Sequence, residues 1–402
     1  MSNTQKKNVP ELRFPGFEGE YSLDIFGNLA TNKSDKFNPQ NENASIDIEL
    51  DCIEQNTGRL IKIYNSKEFS SQKNKFNPQN VLYGKLRPYL NKYYFTKKSG
   101  VCSSEIWVLK STKEDKLLNL FLYYFIQTKR YSDVASKSAG SKMPRADWGL
   151  IENIRVYFPE LCEQQKIGEF FSKLDRQIEL EEQKLELLQQ QKKCYMQKIF
   201  SQELRFKDDN CNDYPEWEEK KLGELSQIVR GASPRPIKDP KWFNKESDIG
   251  WLRISDVTDQ NGKIYHLEQK LSIEGQEKTR VLLTTHLLLS IAASIGKPVM
   301  NFVKTGVHDG FLIFLNPKFN IFFMYYWLDY FKEKWSKYGQ PGSQVNLNSE
   351  IVKSQTLNMP SNHEQEKVGL FFSRNEKLIE LQQEKIMYLK RRKQALILKM
   401  FI

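Results

Sequence analysis

Residues 163–200 occur twice: they return 201 positions later, without a gap, as residues 364–401. Fifteen of the 38 aligned positions are identical, far beyond chance for a chain compared with itself. Such a duplication restricts the fold to two halves on one plan. Both copies place apolar residues in alternating steps of four and three, as helices do when they bury one stripe against a partner. The first seam reads Ile167, Phe171, Leu174, Ile178, Leu185, Leu188, Tyr195 and Ile199, broken at Glu181 and Lys192. The second reads Val368, Phe372, Ile379, Ile386, Leu389, Leu396 and Met400, broken at Asn375, Gln382 and Lys393. Two breaks, Glu181/Gln382 and Lys192/Lys393, fall at equivalent positions; polar residues in a seam cost stability but fix register and orientation. A helix of this length spans roughly 57 Å at 1.5 Å per residue, and its natural partner is the other copy. Ordinary bundle helices are the blander alternative, and the near-identity of the seams argues against it.

The rest of the chain repeats too. A Leu-Arg-Phe step stands at Leu12, Arg13 and Phe14 and again at Leu204, Arg205 and Phe206. Between the helices, short β-like runs broken by Asn, Pro and Gly are expected at 46–53, 81–86, 93–96 and 106–109, then a helix at 117–128. The second half follows with 251–254, 287–292, 299–303, 311–315 and a helix at 322–334. Gly84-Lys85 and Gly296-Lys297 read as echoes of one another, as do Phe121-Leu122-Tyr123-Tyr124 and Phe323-Met324-Tyr325-Tyr326. The expected fold class is α+β: two mixed α/β domains at 1–160 and 203–361, joined by long helices at 161–202 and 362–402 in an antiparallel intramolecular coiled coil, a pseudo-two-fold repeat.

Net charge is 61 − 50 = +11, which favours a polyanionic partner without proving one. The opening residues lack a signal peptide's apolar core and no run reaches membrane-span length, so a cytoplasmic protein is expected. Five scattered cysteines show no CxxC pairing, hence neither a disulfide framework nor a zinc site. No S-adenosylmethionine loop, amino-methyltransferase motif or phosphate loop is present, and the four histidines lack metal-ligand spacing. His308-Asp309 could be an acid–base pair or, more simply, a structural one. Catalysis by this chain is not expected.

Loops that interleave cations, aromatics and amides suit nucleic acid better. In the first half the candidates are Lys85, Arg87, Tyr89 and Lys92, with a second loop at Ser141, Lys142 and Arg145. In the second half they are Arg230, Arg235, Lys297, Ser343 and Gln344. Arg and Gln are the expected base readers and the lysines phosphate clamps.

The chain resembles the specificity subunits of type I restriction-modification systems. The resemblance rests on the Leu-Arg-Phe-Pro-Gly-Phe opening, residues 84–92 and 141–148, and the Pro-x₃-Glu-Gln-x-Lys-[Ile/Val] lead-in at Pro159, Glu163 and Gln164 and again at Pro360, Glu364 and Gln365. It implies two target-recognition domains reading an asymmetric bipartite site in double-stranded DNA, with the spacer set by the coiled coil. It also implies two methyltransferase subunits and restriction/motor subunits as partners, with S-adenosylmethionine, ATP and Mg on those partners and none here. The alternatives are a coiled-coil adaptor with incidental basic charge and, less well supported, a self-sufficient DNA methyltransferase.

Overall fold

The computed structural model describes residues 8–38, 41, 44, 46–65, 71–137, 143–292, 295–338 and 347–402. The chain divides into two compact units, one of Met1–Gln183 with Gln383–Ile402, the other of Lys184–Gln382. Each unit holds a globular domain and half of each of two long helices, Leu161–Phe200 and Asn362–Met400, of 40 and 39 residues.

Within each unit the helix halves run antiparallel. In the first unit Asp175 meets Lys393 at 2.6 Å, while Glu181, six residues on, meets Lys385, eight residues back, at 2.5 Å. In the second, Lys192 meets Glu376 at 3.3 Å and the Tyr195 and Phe371 rings lie 5.2 Å apart. Two of the seam breaks thus pair with carboxylates, Asp175 and Glu376, that are themselves 201 residues apart. The other seam positions divide by depth. Ile167, Phe171, Leu174, Ile178, Ile199, Val368, Phe372, Ile386, Leu389 and Met400 are buried, whereas Leu185, Leu188 and Ile379, near the helix midpoints, and Tyr195 and Leu396, near the helix C-terminal ends, are half-buried. Depth follows the globular domains: Ile167, Phe171, Leu174 and Ile178 share one core with Phe26, Tyr124, Leu389 and Ile397. The second core joins Val368 and Phe372 to Met196, Ile199, Phe323 and Tyr326. Each fully buried Phe or Leu contributes roughly 1.5–3 kcal/mol relative to exposure, and these cores join the helix halves to their domains as well as to each other.

The domains share a plan. The first has a sheet in the order Ala30–Thr31, Ile106–Ser111, Val81–Gly84, Tyr93–Phe95 and another in the order Lys36–Phe37, Lys73–Phe76, Gly100–Cys102, Asp47–Ile48. The second has Gln227–Arg230, Phe311–Leu315, Leu287–Ser290, Pro298–Asn301, Lys263–Ile264 and the three-stranded Gly250–Leu252, Thr305–Val307, Arg280–Leu282. A two-stranded ribbon, Ser22–Ile25 with Arg155–Phe158 or Glu218–Lys221 with Thr356–Met359, leads through Pro159 or Pro360 into each long helix. One helix per domain, Asn119–Phe125 or Ile321–Phe331, wedges between sheet and long helix, with Tyr124 5.2 Å from Phe171 and Tyr326 5.3 Å from Phe372. The wedge needs a small residue opposite it. A Cβ on Gly168 would lie 2.7 Å from Leu120, and one on Gly369 3.1 Å from Phe322.

The repeated motifs are the bolts of this junction. Arg13 grips buried Glu163 with two hydrogen bonds, 2.9 and 2.7 Å, and Arg205 grips buried Glu364 at 3.3 and 2.9 Å. Gln164 donates to the Pro159 carbonyl and accepts from Leu118 N–H, as Gln365 does with Pro360 and Asn320. Tyr124 and Tyr326 donate to Asp175 and Glu376 at 3.0 and 2.7 Å. Buried polar groups stay only where such partners exist.

Several expected elements differ. The run at 46–53 is a strand only over Asp47–Ile48, then a 3₁₀ turn at Leu50–Cys52, because Cys52 Sγ accepts the Glu49 N–H and draws the backbone out of the ladder. Helices at Lys129–Ala135, Ile254–Asp259 and Ser349–Ser354 were not expected, being too short to show a period.

Candidate nucleic-acid interface

In the first domain the hairpin loop 85–92 and the segment 143–146, flagged separately in sequence, lie side by side. Arg87 N–H donates to the Pro144 carbonyl at 2.7 Å, Ala146 N–H to Lys85 at 2.8 Å, and Leu86 and Arg145 form an isolated antiparallel bridge. These bonds hold Arg87 in the left-handed region, φ +52°, a conformation that costs a non-glycine residue energy and tends to gather at functional sites. Arg87 and Tyr89 are exposed and Lys85 half-buried. Lys92 is turned inward, its ammonium donating to the Leu50 carbonyl at 2.6 Å. Arg145 meets Glu105 through Nε and Nη2, 2.9 and 3.2 Å. Glu105 raises the guanidinium above its ordinary value.

In the second domain Asp309 is the hub. Its carboxylate accepts from Ser233 Oγ at 2.8 Å and Arg235 Nη2 at 2.7 Å, and its carbonyl from Arg230 Nε at 2.6 Å. Burial alone would raise the Asp309 carboxyl, but the Ser233 hydrogen bond and the charges of His308, Arg235 and Arg230 hold it below its ordinary value. Gly231 makes this close docking possible: a Cβ there would sit 2.1 Å from the His308 carbonyl oxygen. Burial pushes the His308 imidazole below its ordinary value, and its Nδ1 accepts the Gly310 N–H at 2.8 Å. His308 Nδ1 lies 3.2 Å from Asp309 Oδ1 as well.

Strand register relates the two clusters. Gly84 pairs with Ile106 as Ser290 pairs with Phe311, so the loops carrying Glu105 and Asp309 are the same loop. The same register corrects the Gly84-Lys85/Gly296-Lys297 echo. Gly84 N–H bonds the Lys92 carbonyl and Ser290 N–H that of Lys297, making Lys297 the counterpart of Lys92. Lys297 is also turned inward, toward the Val257 carbonyl and Asn261, and burial, with Lys332 adding, lowers its ammonium below the ordinary value. Ser141, Lys142, Ser343 and Gln344 lie outside the described residues.

A model of the type I restriction modification DNA specificity domain matches residues 20–190 and again 214–391. The chain belongs to that family. It is a specificity subunit of a type I restriction-modification system, the non-catalytic component that recognises the target site. It is 26% identical over 310 residues to the MjaVIII specificity subunit of Methanocaldococcus jannaschii, covering 72% of this chain and 71% of that one. In fold it is similar to the S subunit from M. genitalium, with TM-score 0.58 and 13% identity over 98% and 99% of the two chains. It is also similar to a chain from a structure on complex assembly and conformational transition of the type I R-M system, with TM-score 0.60 and 17% identity over 94% and 96%.

Sequence reading of this specificity subunit gave Glu105 no role and weighed Asp309 only beside His308, not as the acceptor of Arg230 and Arg235. Glu105 and Asp309 lie in short loops that hold no Lys or Arg of their own, and the arginines reach them from segments 40 and 74 residues away. Sequence reading also passed over a cleft of about 510 Å³ beside His308, lined by Lys238, Phe243, Trp251, Arg253 and Gln269. Among the described residues no His, Cys, Asp and Glu group could hold a metal ion, and no helix is long and apolar enough to cross a membrane.

Proposed function

We propose that this specificity subunit reads an asymmetric, two-part DNA site, one half per domain, and directs methyltransferase and restriction subunits to it in the cytoplasm. The observation that carries the reading is the contrast between a duplicated frame and non-duplicated loops. Arg13/Arg205, Gln164/Gln365 and Tyr124/Tyr326 make the same bonds twice, while loops 85–92 and 291–297 share almost no residues. Equal frames with unequal heads suit a non-palindromic target. The contacts we assign are Arg87, Tyr89 and Arg145 in the first domain and Arg230 and Arg235 in the second, with Lys85 holding phosphate. Ser141, Lys142, Ser343 and Gln344 remain assigned to DNA by sequence alone. Lys92 and Lys297 are not assigned to DNA, because, unlike the exposed arginines, they are half-buried with their ammonium groups turned toward the protein's own carbonyls.

Two methyltransferase copies, carrying S-adenosylmethionine, are the expected partners, with ATP and Mg on the motor subunits. Each unit exposes equivalent apolar side chains on its helix halves, Leu180 and Tyr388 in the first and Leu381 and Leu187 in the second, which suits two seats for one kind of partner. We assign the spacer length to the two helices. Exchanging residues 30–159 for those of another family member, and mapping modified adenines genome-wide, should change one half of the site only. A change in both halves would defeat one-domain-per-half readout. Inserting one heptad beside Leu188 and another beside Leu389 should lengthen the spacer, and an unaltered spacer would remove the helices as its ruler.

A further inference from the structure

We propose that Glu105 and Asp309 are positioning residues that aim Arg145 and Arg235 at a guanine, one in each half of the target. The inference rests on the DNA-reading face assigned above and adds what gives that face its specificity.

Three observations carry it. First, both carboxylates stand on the same loop of the shared domain plan, at adjacent positions. By the register that equates Ile106 with Phe311, Glu105 matches Gly310 and Asp309 matches Ser104. Secondly, the arginines they hold come from unrelated places: Arg145 from the segment before the closing ribbon strand, Arg235 from the loop after the first strand of the main sheet. The two ion pairs thus share the loop that supplies the acid and differ in the element that supplies the arginine. Thirdly, both arginines remain substantially exposed, with side chains 50% and 71% accessible, while Glu105 and Asp309 are only 27% and 25% accessible. The acid is the anchored member and the guanidinium the one presented outward.

The chemistry follows from what a duplex offers. A carboxylate facing DNA is repelled by phosphates, so an acid there costs affinity unless it does something for specificity. An arginine reads guanine by donating two parallel hydrogen bonds to O6 and N7, which requires the guanidinium plane to lie in the plane of the base. An exposed arginine otherwise rotates about its long stem and finds phosphate as readily as a base edge. Two bonds from Glu105, on Nε and Nη2, fix that plane in the first domain. In the second, Asp309 holds Arg235 directly and is itself locked by Ser233 on its other oxygen and by its own N–H donating to Ser233 Oγ at 3.1 Å. Arg230, bonded to the Asp309 carbonyl, sits in the same cluster.

The experiment uses the full chain in complex with its methyltransferase partner and measures methylation on a panel of duplexes carrying every single-base change across the target. Glu105→Gln and Asp309→Asn keep shape and remove charge. Each should lower discrimination at one guanine of one half-site about 5- to 50-fold, leave the other half-site unchanged, and leave affinity for mixed-sequence DNA equal or higher. A merely structural carboxylate would instead lower methylation on every duplex alike, and that result would overturn the proposal. So would a half-site made only of A·T pairs. Arg145→Ala and Arg235→Ala separate this idea from the one beneath it. If they relax discrimination and the carboxylate variants do not, the reading face stands and the positioning role falls. If none of the four changes discrimination, the face itself is wrongly assigned.

Discussion

The two units are alike in domain plan and in the junction with the long helices, and unlike in their loops. At the junction, Arg13–Glu163 and Arg205–Glu364, Tyr124–Asp175 and Tyr326–Glu376, Gly168 and Gly369 recur, with only the tyrosine's acceptor changed from Asp to Glu. Each of these is buried or closely packed, so a change in one copy leaves an unpaired polar atom or a clash. At the loops, by contrast, an Arg from 145 is replaced by an Arg from 235, because a solvated loop can lose or gain a residue without disturbing a core. Duplication therefore persists where burial penalises change, and divergence collects in the solvated loops.

That contrast can be broken most forcefully at the junction. Glu364→Ala removes the acceptor of Arg205 and of Trp217 Nε1 and should destabilise the second unit by about 3 kcal/mol, read by chemical denaturation. Glu163→Ala should do the same to the first unit through Arg13 and Tyr21; a near-neutral result in either would show the bolt to be dispensable. Next in size, Gly231→Ala should cost about 2 kcal/mol through its clash with the His308 carbonyl and weaken recognition of only one half-site. Equal weakening of both would contradict independent heads. Smaller still, Tyr326→Phe should cost about 1.5–2 kcal/mol and Tyr124→Phe about 1, since Glu376 is 10% accessible and Asp175 25%; equal losses would mean the two junctions are energetically identical.

The gentlest test is acid. Burial would raise the Glu376 carboxyl, but Lys192 and Lys263 outweigh it and hold it below the ordinary value. A depressed carboxylate contributes stability above its unfolded pKa and loses it as pH falls through the folded one. The second unit should therefore weaken on acidification below about pH 4.5, and Glu376→Gln should flatten that limb; an unchanged acid limb in the variant would remove Glu376 from its cause.

Much of the frame was legible in the sequence because it rests on periodicity and repetition. The seams gave helices of nearly the right length, and the polar breaks Lys192 and Lys393 marked the ion pairs that fix orientation. What stayed hidden were short elements such as Arg155–Phe158, whose four residues carry no readable period, and the partners of those breaks. Asp175 and Glu376 lie off the seam, and nothing local distinguishes them from other helix acids.

The amino-acid order by itself determined that there are two halves, that each carries a long helix, and which loops are cationic, because these depend on spacing along the chain. Only the tertiary structure decided which cations point outward and which acid holds each of them. Lys92 and Lys297 turn in while Arg145 and Arg235 turn out because acceptors distant along the chain, from 36 residues away for Lys297 and Asn261 to 74 for Arg235 and Asp309, compete for them. Such competition is settled by three-dimensional proximity, which no local pattern encodes.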